Sequence, residues 1–538
     1  MKTITKFFVL ICLVLLALTG CGKDNSGNGG DGEERAKEVV VCIKQDPAPL
    51  DPFSGTRDVR IYVLDEVYQR PFNFDGYGGA LVPTLAKSYE ISGENSINVV
   101  FNDNIYDTDG NHITAKDVKF SYDTAVESHN YSRMNDVSSV EVVGDYEVKI
   151  NFSCPATTVS TIDNALTEPY IVSEKAYTES EDKLSTRSCG TGPYVVESYV
   201  EGSEVVLLKN ENYWNKDGEM TRFEEANVDK ITYSVITDVS TMPIGLMNGE
   251  LDFCAFMNAN DYASFEDGGE AADAFDVYKS PTPYYYTYTI NADEKSPFNN
   301  VNLRLVFCYA VNQDAVAKKI WGDSALPVHG AGSPDYVGYQ AGWDAAGYYD
   351  GKSYYEYNPD LAKEYLNKYL EETGTKLEDL KVRIYVSQMA GMGDMAAMAQ
   401  SDLKAIGIEN VEAQVYDSAT LGAIKKETDQ WEISVYTGYA NKYITEVWKL
   451  YFDHRDYSWN GTMTYAHDDT LQEKLLAVMQ QDNFTPENLD DFNKYVYDNA
   501  YILGCSGQKQ KLVYPSFVTD IFCTARGIPL PGSCHYNW

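Results

Sequence analysis

The stretch 381-KVRIYVSQMAGMGDMAAMAQSDLKAIGIENVEAQV-415 decides the fold class. Lys381 to Val386 is strand-like, Asp394 to Ile406 is a Met- and Ala-rich helical segment ended by Gly407, and Val411 to Val415 is strand-like again. Two strands joined through one helix make a βαβ unit. Such a unit crosses right-handed within a sheet that is at least partly parallel.

Working outward, the same alternation of strand and helix continues. Val39 to Ile43 reads as a buried first strand, and Glu147 to Phe152 places Val148, Ile150 and Phe152 on one face. Thr114, with Asp117 three residues on, caps a helix from Ala115 to about Val126. Asn358-Pro359 and Thr485-Pro486 each open a further helix as cap and first residue. No internal repeat is present. About 500 residues exceed what one hydrophobic core serves, so two or three domains are expected.

The N-terminus is a secretion signal. Lys2 and Lys6 precede Phe7 to Leu18, an unbroken run of 12 apolar residues. At about 1.5 Å per residue this helix is too short for a hydrocarbon core roughly 30 Å thick. The run ends in Leu18-Thr19-Gly20-Cys21, which resembles the bacterial lipobox and implies cleavage before Cys21 and acylation of its sulfur. Gly22 to Glu34 is Gly, Asn, Ser and charged residues almost throughout, a tether of roughly 20 Å reach. The expected location is the cell surface or periplasm, anchored to the membrane by lipid.

Composition excludes several functions. With 43 Lys+Arg against 81 Asp+Glu, the chain has the wrong sign for a phosphate backbone, so nucleic acid is not a partner. Eight cysteines remain beyond Cys21, in no CxxC arrangement; disulfides and buried free thiols both stay open. The histidines are scattered, and HExxH and Gly-x-Ser-x-Gly do not occur. Asp107-Thr108-Asp109-Gly110 puts Ile105 and Lys116 where a calcium loop needs carboxylates, so it reads as an Asp-Gly turn. No metal or cofactor is expected, and no catalytic residue is assigned.

One ordered set of local sequences remains. It runs Asp51-Pro52, Val67-Tyr68, Pro83-Thr84-Leu85-Ala86-Lys87-Ser88-Tyr89, then Asp109-Gly110 with Ile113-Thr114-Ala115-Lys116-Asp117-Val118. Gly190-Thr191-Gly192-Pro193-Tyr194, Lys209-Asn210-Glu211-Asn212-Tyr213-Trp214, Gly249-Glu250-Leu251-Asp252 and Pro297-Phe298-Asn299-Asn300-Val301-Asn302-Leu303-Arg304 follow. The succession resembles solute-binding family 5, the extracellular substrate-binding proteins of oligopeptide and dipeptide ABC transporters. Most of these motifs are scaffold: Tyr213-Trp214, for example, reads first as a pair locking a loop onto a core.

The resemblance implies an α/β fold: a two-lobed clamshell of the periplasmic-binding-protein type (type II, large three-domain form), with mixed sheets flanked by helices. After the signal peptide 1–20 and tether 21–36, the first lobe's main domain combines 37–65, 190–285 and 512–538. A second domain is inserted at 66–189, and the second lobe is 286–511. Tyr284, Tyr286 and Tyr288 form a row of phenols on an interlobe strand, expected to face the ligand. Peptide-binding members carry an acidic residue in the second lobe that pairs with the ligand's α-ammonium. Here the stretch holds Gly438-Tyr439-Ala440-Asn441-Lys442, and Asn441 or Lys442 takes the acid's place. Glu432 and Glu446 flank it as candidate substitutes. A buried ammonium without a counter-charge is strongly unfavourable, so peptides with a free α-amino group are in doubt, while sugars, blocked peptides and other solutes stay open. The implied partners are an oligopeptide or other solute, an ABC permease and its ATPase subunits, with the binding protein a monomer. An anchored hydrolase and a ligand-sensing receptor of the same fold are the alternatives.

Overall fold

A computed structural model describes residues 37–54, 59–216, 218–258, 260–322, 325–328, 330–344, 355–438, 442–455 and 463–538, the side chains of 132 and 281–284 excepted. Cys21 and the rest of 1–36 lie outside them. Three principal sheets, each flanked by helices, make up a mixed α/β fold.

In the first sheet the strands Glu38–Ile43, Lys230–Val235, Glu204–Lys209 and Tyr194–Val200 lie side by side in that order. Only the first pair is parallel. Val39, Val41, Cys42 and Ile43 are all buried, as a continuous apolar run predicts. The outer edge of Glu38–Ile43 is covered: Asp252 and Phe253 donate their N–H groups to the Val40 carbonyl, and Cys42 donates to Phe253.

The second sheet is wholly antiparallel, with the order Ala86–Gly93, Ser96–Phe101, Glu147–Phe152, Val137–Gly144. Val148, Ile150 and Phe152 fill its inner face, where Val118, Tyr122 and Ala125 of helix Ala115–Glu127 are also buried. That helix starts as the sequence predicts. Asp117 Oδ2 accepts the Thr114 N–H at 2.9 Å and its hydroxyl at 2.8 Å, while Thr114 Oγ1 accepts Lys116 N at 3.3 Å. The Asp-Gly turn ahead of it is also as read. Gly110 takes φ 80°, and Asp107 Oδ1 accepts the N–H groups of Asp109 and Asn111.

The third sheet has six strands, ordered Leu326–Pro327, Ile502–Pro515, Phe275–Ile290, Ile433–Gly438, Val382–Ser387, Val411–Tyr416. Val382–Ser387 and Val411–Tyr416 are parallel and joined through helix Met392–Ala405, so the opening stretch is the expected βαβ unit. Asn358 and Thr485 cap helices Pro359–Thr373 and Pro486–Asn499 through their side-chain oxygens.

Two strands tie the body together. Phe275–Ile290 and Ile502–Pro515 pair antiparallel nearly end to end. At one end Phe275, Val277 and Val513 pack with Cys42, Leu246 and Cys254, beside the first sheet. At the other, Tyr285 to Ile290 and Ile502 to Cys505 enter the largest core, with Phe307, Trp448 and Phe492. The register slips between Lys279 and Pro283, where Pro281 and Pro283 offer no N–H to the ladder. The eight cysteines of the body are thiols, seven of them buried.

The Gly190-Thr191-Gly192 turn shows why these glycines are there. A Cβ on Gly190 would lie 1.9 Å from the Val67 carbonyl oxygen, and one on Gly192 2.6 Å from that of Glu66. The turn therefore seats directly on the end of helix Arg60–Val67. Glu66 itself is fully buried there. Desolvation pushes its carboxyl up to about 8, opposed by the Gly532 N–H it accepts and raised further by nearby Asp65. Because the folded value is raised, the folded state holds this proton more tightly than the unfolded chain. The stability it contributes is complete below the ordinary 4.5 and is lost as pH rises toward about 8. Glu66→Gln should therefore gain on the unmutated protein steadily across that window and level off above it, measured as the difference in urea unfolding free energy against pH. A difference independent of pH would contradict the buried, protonated carboxyl.

Candidate functional site

A cavity of about 60 Å³ opens where segments from all three sheet systems meet. The hairpin of Phe72–Phe74 and Leu81–Pro83 supplies Asn73 and Phe74, with Tyr77 at its tip. Helix Thr161–Thr167 supplies Asp163, and the C-terminal segment supplies Thr524 to Arg526. The start of helix Ile444–Phe452 supplies Lys442, Tyr443 and Glu446. At roughly 10–15 Å³ per water, the space takes only a handful of waters.

The wall formed by Lys442, Tyr443 and Glu446 is fixed by a helix start. Helix Ile444–Phe452 follows Tyr443, and Glu446 Oε2 accepts the N–H groups of both Lys442 and Tyr443 at 2.9 Å. Val337 holds the same segment from the other side, donating to the Lys442 carbonyl and accepting from Ile444. Lys442 then points across the cavity. Its ammonium is 2.9 Å from Asp163 Oδ2 and 4.3 Å from the centre of the Phe74 ring. Tyr443 donates its hydroxyl to the same Asp163 oxygen at 3.0 Å. Burial and the Asp163 charge raise the Tyr443 phenol well above its usual range, so it stays a donor.

Behind this rim lies a chain of charge. Glu168, 1% exposed, accepts Arg133 at 3.1 Å and also Arg526. Arg133 Nε lies 3.7 Å from Glu446 Oε1. Arg70 is held by Asp65 at 2.6 Å and Tyr170 at 2.6 Å, with its guanidinium 4.2 Å over the Tyr170 ring. Burial acts to discharge Arg70, but Asp65 and Tyr170 outweigh it and its pKa is raised.

Further contacts join residues 136–159 to residues 449–481. Lys449 meets Asp136 at 2.9 Å, while Val159 donates to the Met479 carbonyl and Gln481 to that of Thr157.

Of the residues singled out from the sequence, Lys442 lies on the cavity wall. Gly438 closes strand Ile433–Gly438, where a Cβ would stand 2.1 Å from the Tyr285 hydroxyl oxygen. Tyr439, Asn441 and the Tyr284 side chain lie outside the described residues. Tyr286 and Tyr288 are not brought to this cavity. Tyr286 donates to the Ala390 carbonyl at 2.7 Å and stacks on Trp321, and Tyr288 donates to that of Met395 at 3.0 Å. Both rings are buried in the core, so the shared face of the phenols is a core face. Neither flanking glutamate is spare: Glu432 is buried against Arg383 through both oxygens, and Glu446 caps its helix. Tyr213 and Trp214 lock a loop as read, both bonded to the Gln69 amide.

Asp163, Arg133, Glu168 and Arg526 carry no local motif. They come together only through the fold.

The profile of bacterial extracellular solute-binding proteins, family 5 Middle, matches residues 80–465. A glutathione-binding protein, GsiB of Pectobacterium atrosepticum, is 27% identical over 302 residues, 55% of this chain and 56% of that relative's length. The oligopeptide-binding protein OppA of Bacillus subtilis is 22% identical over 414 residues, 71% of each chain. The crystal structure of the ABC transporter substrate-binding protein CtaP from Listeria monocytogenes superposes with a TM-score of 0.73 at 19% identity, covering 94% of this chain and all of that one. These relatives are named for binding rather than for catalysis. The family profile spans most of the chain and the fold agrees with it, so the chain belongs to the bacterial extracellular solute-binding proteins of family 5.

Proposed function

We propose that the protein is the lipid-anchored substrate-binding component of an ABC importer, taking a peptide or similar solute into the cleft and delivering it to a permease driven by ATPase subunits. The observation that carries this reading is a charged cavity bounded by opposing segments of a family 5 fold, with hydrogen bonds and ion pairs joining them across it. The solute shifts the protein toward the closed form by binding it more tightly than the open one. The proposed partition keeps 37–65, 190–285 and 512–538 as the main domain of one lobe, 66–189 as its insertion and 286–511 as the other lobe; the strand pair at 275–290 and 502–515 serves as the crossing.

In this reading the cleft residues include Gly438, Tyr439, Asn441 and Lys442, and the ligand lacks a free α-ammonium as its anchor. What supports this is the pairing of Lys442 with Asp163: the protein supplies both charges where an acid alone would await the ligand's ammonium.

Three outcomes are expected. Cys21→Ser should appear in the medium or periplasm, followed by fractionation and immunoblot, since loss of the acyl chains removes the anchor; a mutant wholly retained on membranes counts against the anchor. Free α-amino di- to pentapeptides should bind weakly, and Lys442→Asp should improve their binding by leaving two acids facing the cleft. Titration calorimetry decides, and submicromolar binding by the unmutated protein, abolished by N-acetylation, would defeat the argument. Asp163→Asn removes the acceptor shared by Lys442 and Tyr443, so small-angle scattering without ligand should give a larger radius of gyration than for the unmutated protein. An unchanged curve would mean that the pair does not hold the lobes.

A further inference from the structure

Several thiols of the described body spend their contacts on oxygen. Cys308 reaches the Ile502 carbonyl, Cys505 that of Gln313, Cys534 that of Leu530, and Cys154 the Thr161 hydroxyl. Cys254 differs, because sulfur surrounds its sulfur. Its Sγ lies 3.6 Å from Met242 Sδ, and Cys42 shares the same small apolar core; all three are buried.

The backbone sets the two cysteines opposite each other. Phe253 donates to the Val40 carbonyl and Cys42 donates to that of Phe253 at 2.8 Å, the pattern of a parallel bridge between Val41 and Phe253. One step along, Cys42 faces Cys254, with both side chains on the same face of strand Glu38–Ile43. Facing residues of adjacent strands have Cα atoms about 5 Å apart, within the roughly 4.4–6.8 Å that a disulfide bridges. The Cβ atoms must approach by about 1 Å. A segment joined to the strand by one isolated bridge can give that much. The thiols also sense each other: the hydrogen bond between them is the largest influence on either, holding the Cys42 proton and easing that of Cys254.

We infer that Cys42 and Cys254 are a modification site, two thiols that close to one disulfide as the protein matures outside the membrane, where such bonds persist. The oxidant is another disulfide, carried by a protein of the thiol–disulfide oxidoreductase class. One cysteine, as thiolate, attacks a sulfur of that disulfide and expels its partner sulfur. The other, its proton released to water, then displaces the attacked sulfur and closes the Cys42–Cys254 bond; two electrons pass to the oxidant, which leaves as a dithiol. Both sulfurs are buried in the finished fold, so the exchange belongs to the folding chain, before residues 251–254 settle on the strand. Once closed, the bond staples the first strand to a residue that exchanges two backbone hydrogen bonds with Val513 of strand Ile502–Pro515. It also turns residues 43–253 into a closed loop, which restricts the unfolded chain.

The test takes the full-length protein from the exterior of aerobically grown cells, quenched in acid and alkylated in denaturant before any reductant is added. Peptides carrying Cys42 and Cys254 should appear in the mass spectrum as one cross-linked species that a phosphine reductant splits. Separate alkylation of the two overturns the inference, as does a bond from either to any other cysteine. This mapping needs no variant. Stability gives an independent reading: the reductant should lower the thermal midpoint of the unmutated protein by about 2 °C or more. Without reductant, the shifts of Cys42→Ala and Cys254→Ala should sum to more than that of the double variant, because each alone already loses the bond. With reductant that excess should vanish. An excess that is absent in both conditions, or the same in both, overturns the assignment.

Discussion

Everything in this molecule hangs on one ladder of main-chain hydrogen bonds, the antiparallel pairing of Phe275–Ile290 with Ile502–Pro515. One end is anchored among Cys254, Met242 and Leu246, the other among Tyr288, Phe307 and Trp448. Two hydrophobic cores are thus joined by continuous strands rather than by a loose linker. Where the ladder passes between them its register slips and two prolines remove donors. The connection is strong along the strands and weakest in pairing between Lys279 and Pro283, where bending gives up few hydrogen bonds.

The cavity is built by a different kind of force. No apolar cluster fills it; opposite charges and phenols from separate segments face each other over short distances. Such pairs, shielded but not dry, contribute modestly and reversibly compared with core packing. That suits the opening and closing proposed above for the cleft. The buried pairs further back, Glu432 with Arg383 and Asp65 with Arg70, are firmer because they are enclosed.

Local rules made much of the scaffold readable. The Thr114-Asp117 cap, the Asp107 turn, the 382–416 βαβ unit and the alternation at Val148, Ile150 and Phe152 are each decided within a few residues by hydrogen-bond reach or side-chain direction. The site was legible only where it coincided with such a segment, as at Lys442. Lys442 and Asp163 are 279 positions apart, and Arg526 and Glu168 are 358 apart, so no spacing rule connects them. Tyr286 and Tyr288 show a different limit. Alternation correctly puts them on one face of a strand, but it says nothing of what covers that face; here it is Trp321, Phe307 and helix Met392–Ala405.

The rim beside the cavity joins Thr157 and Val159 to Met479 and Gln481 through backbone groups alone. Main-chain donors and acceptors are the same for almost every residue type, so these two bonds do not depend on the identity of the side chains, unlike the Lys449–Asp136 pair and the Gln480–Thr158 contact beside them. Mutational drift in the cavity wall can therefore change its side chains while these backbone bonds persist. If the lobes close as proposed, recognition and closure are then largely separable, because side chains in the cleft can change while these backbone bonds persist.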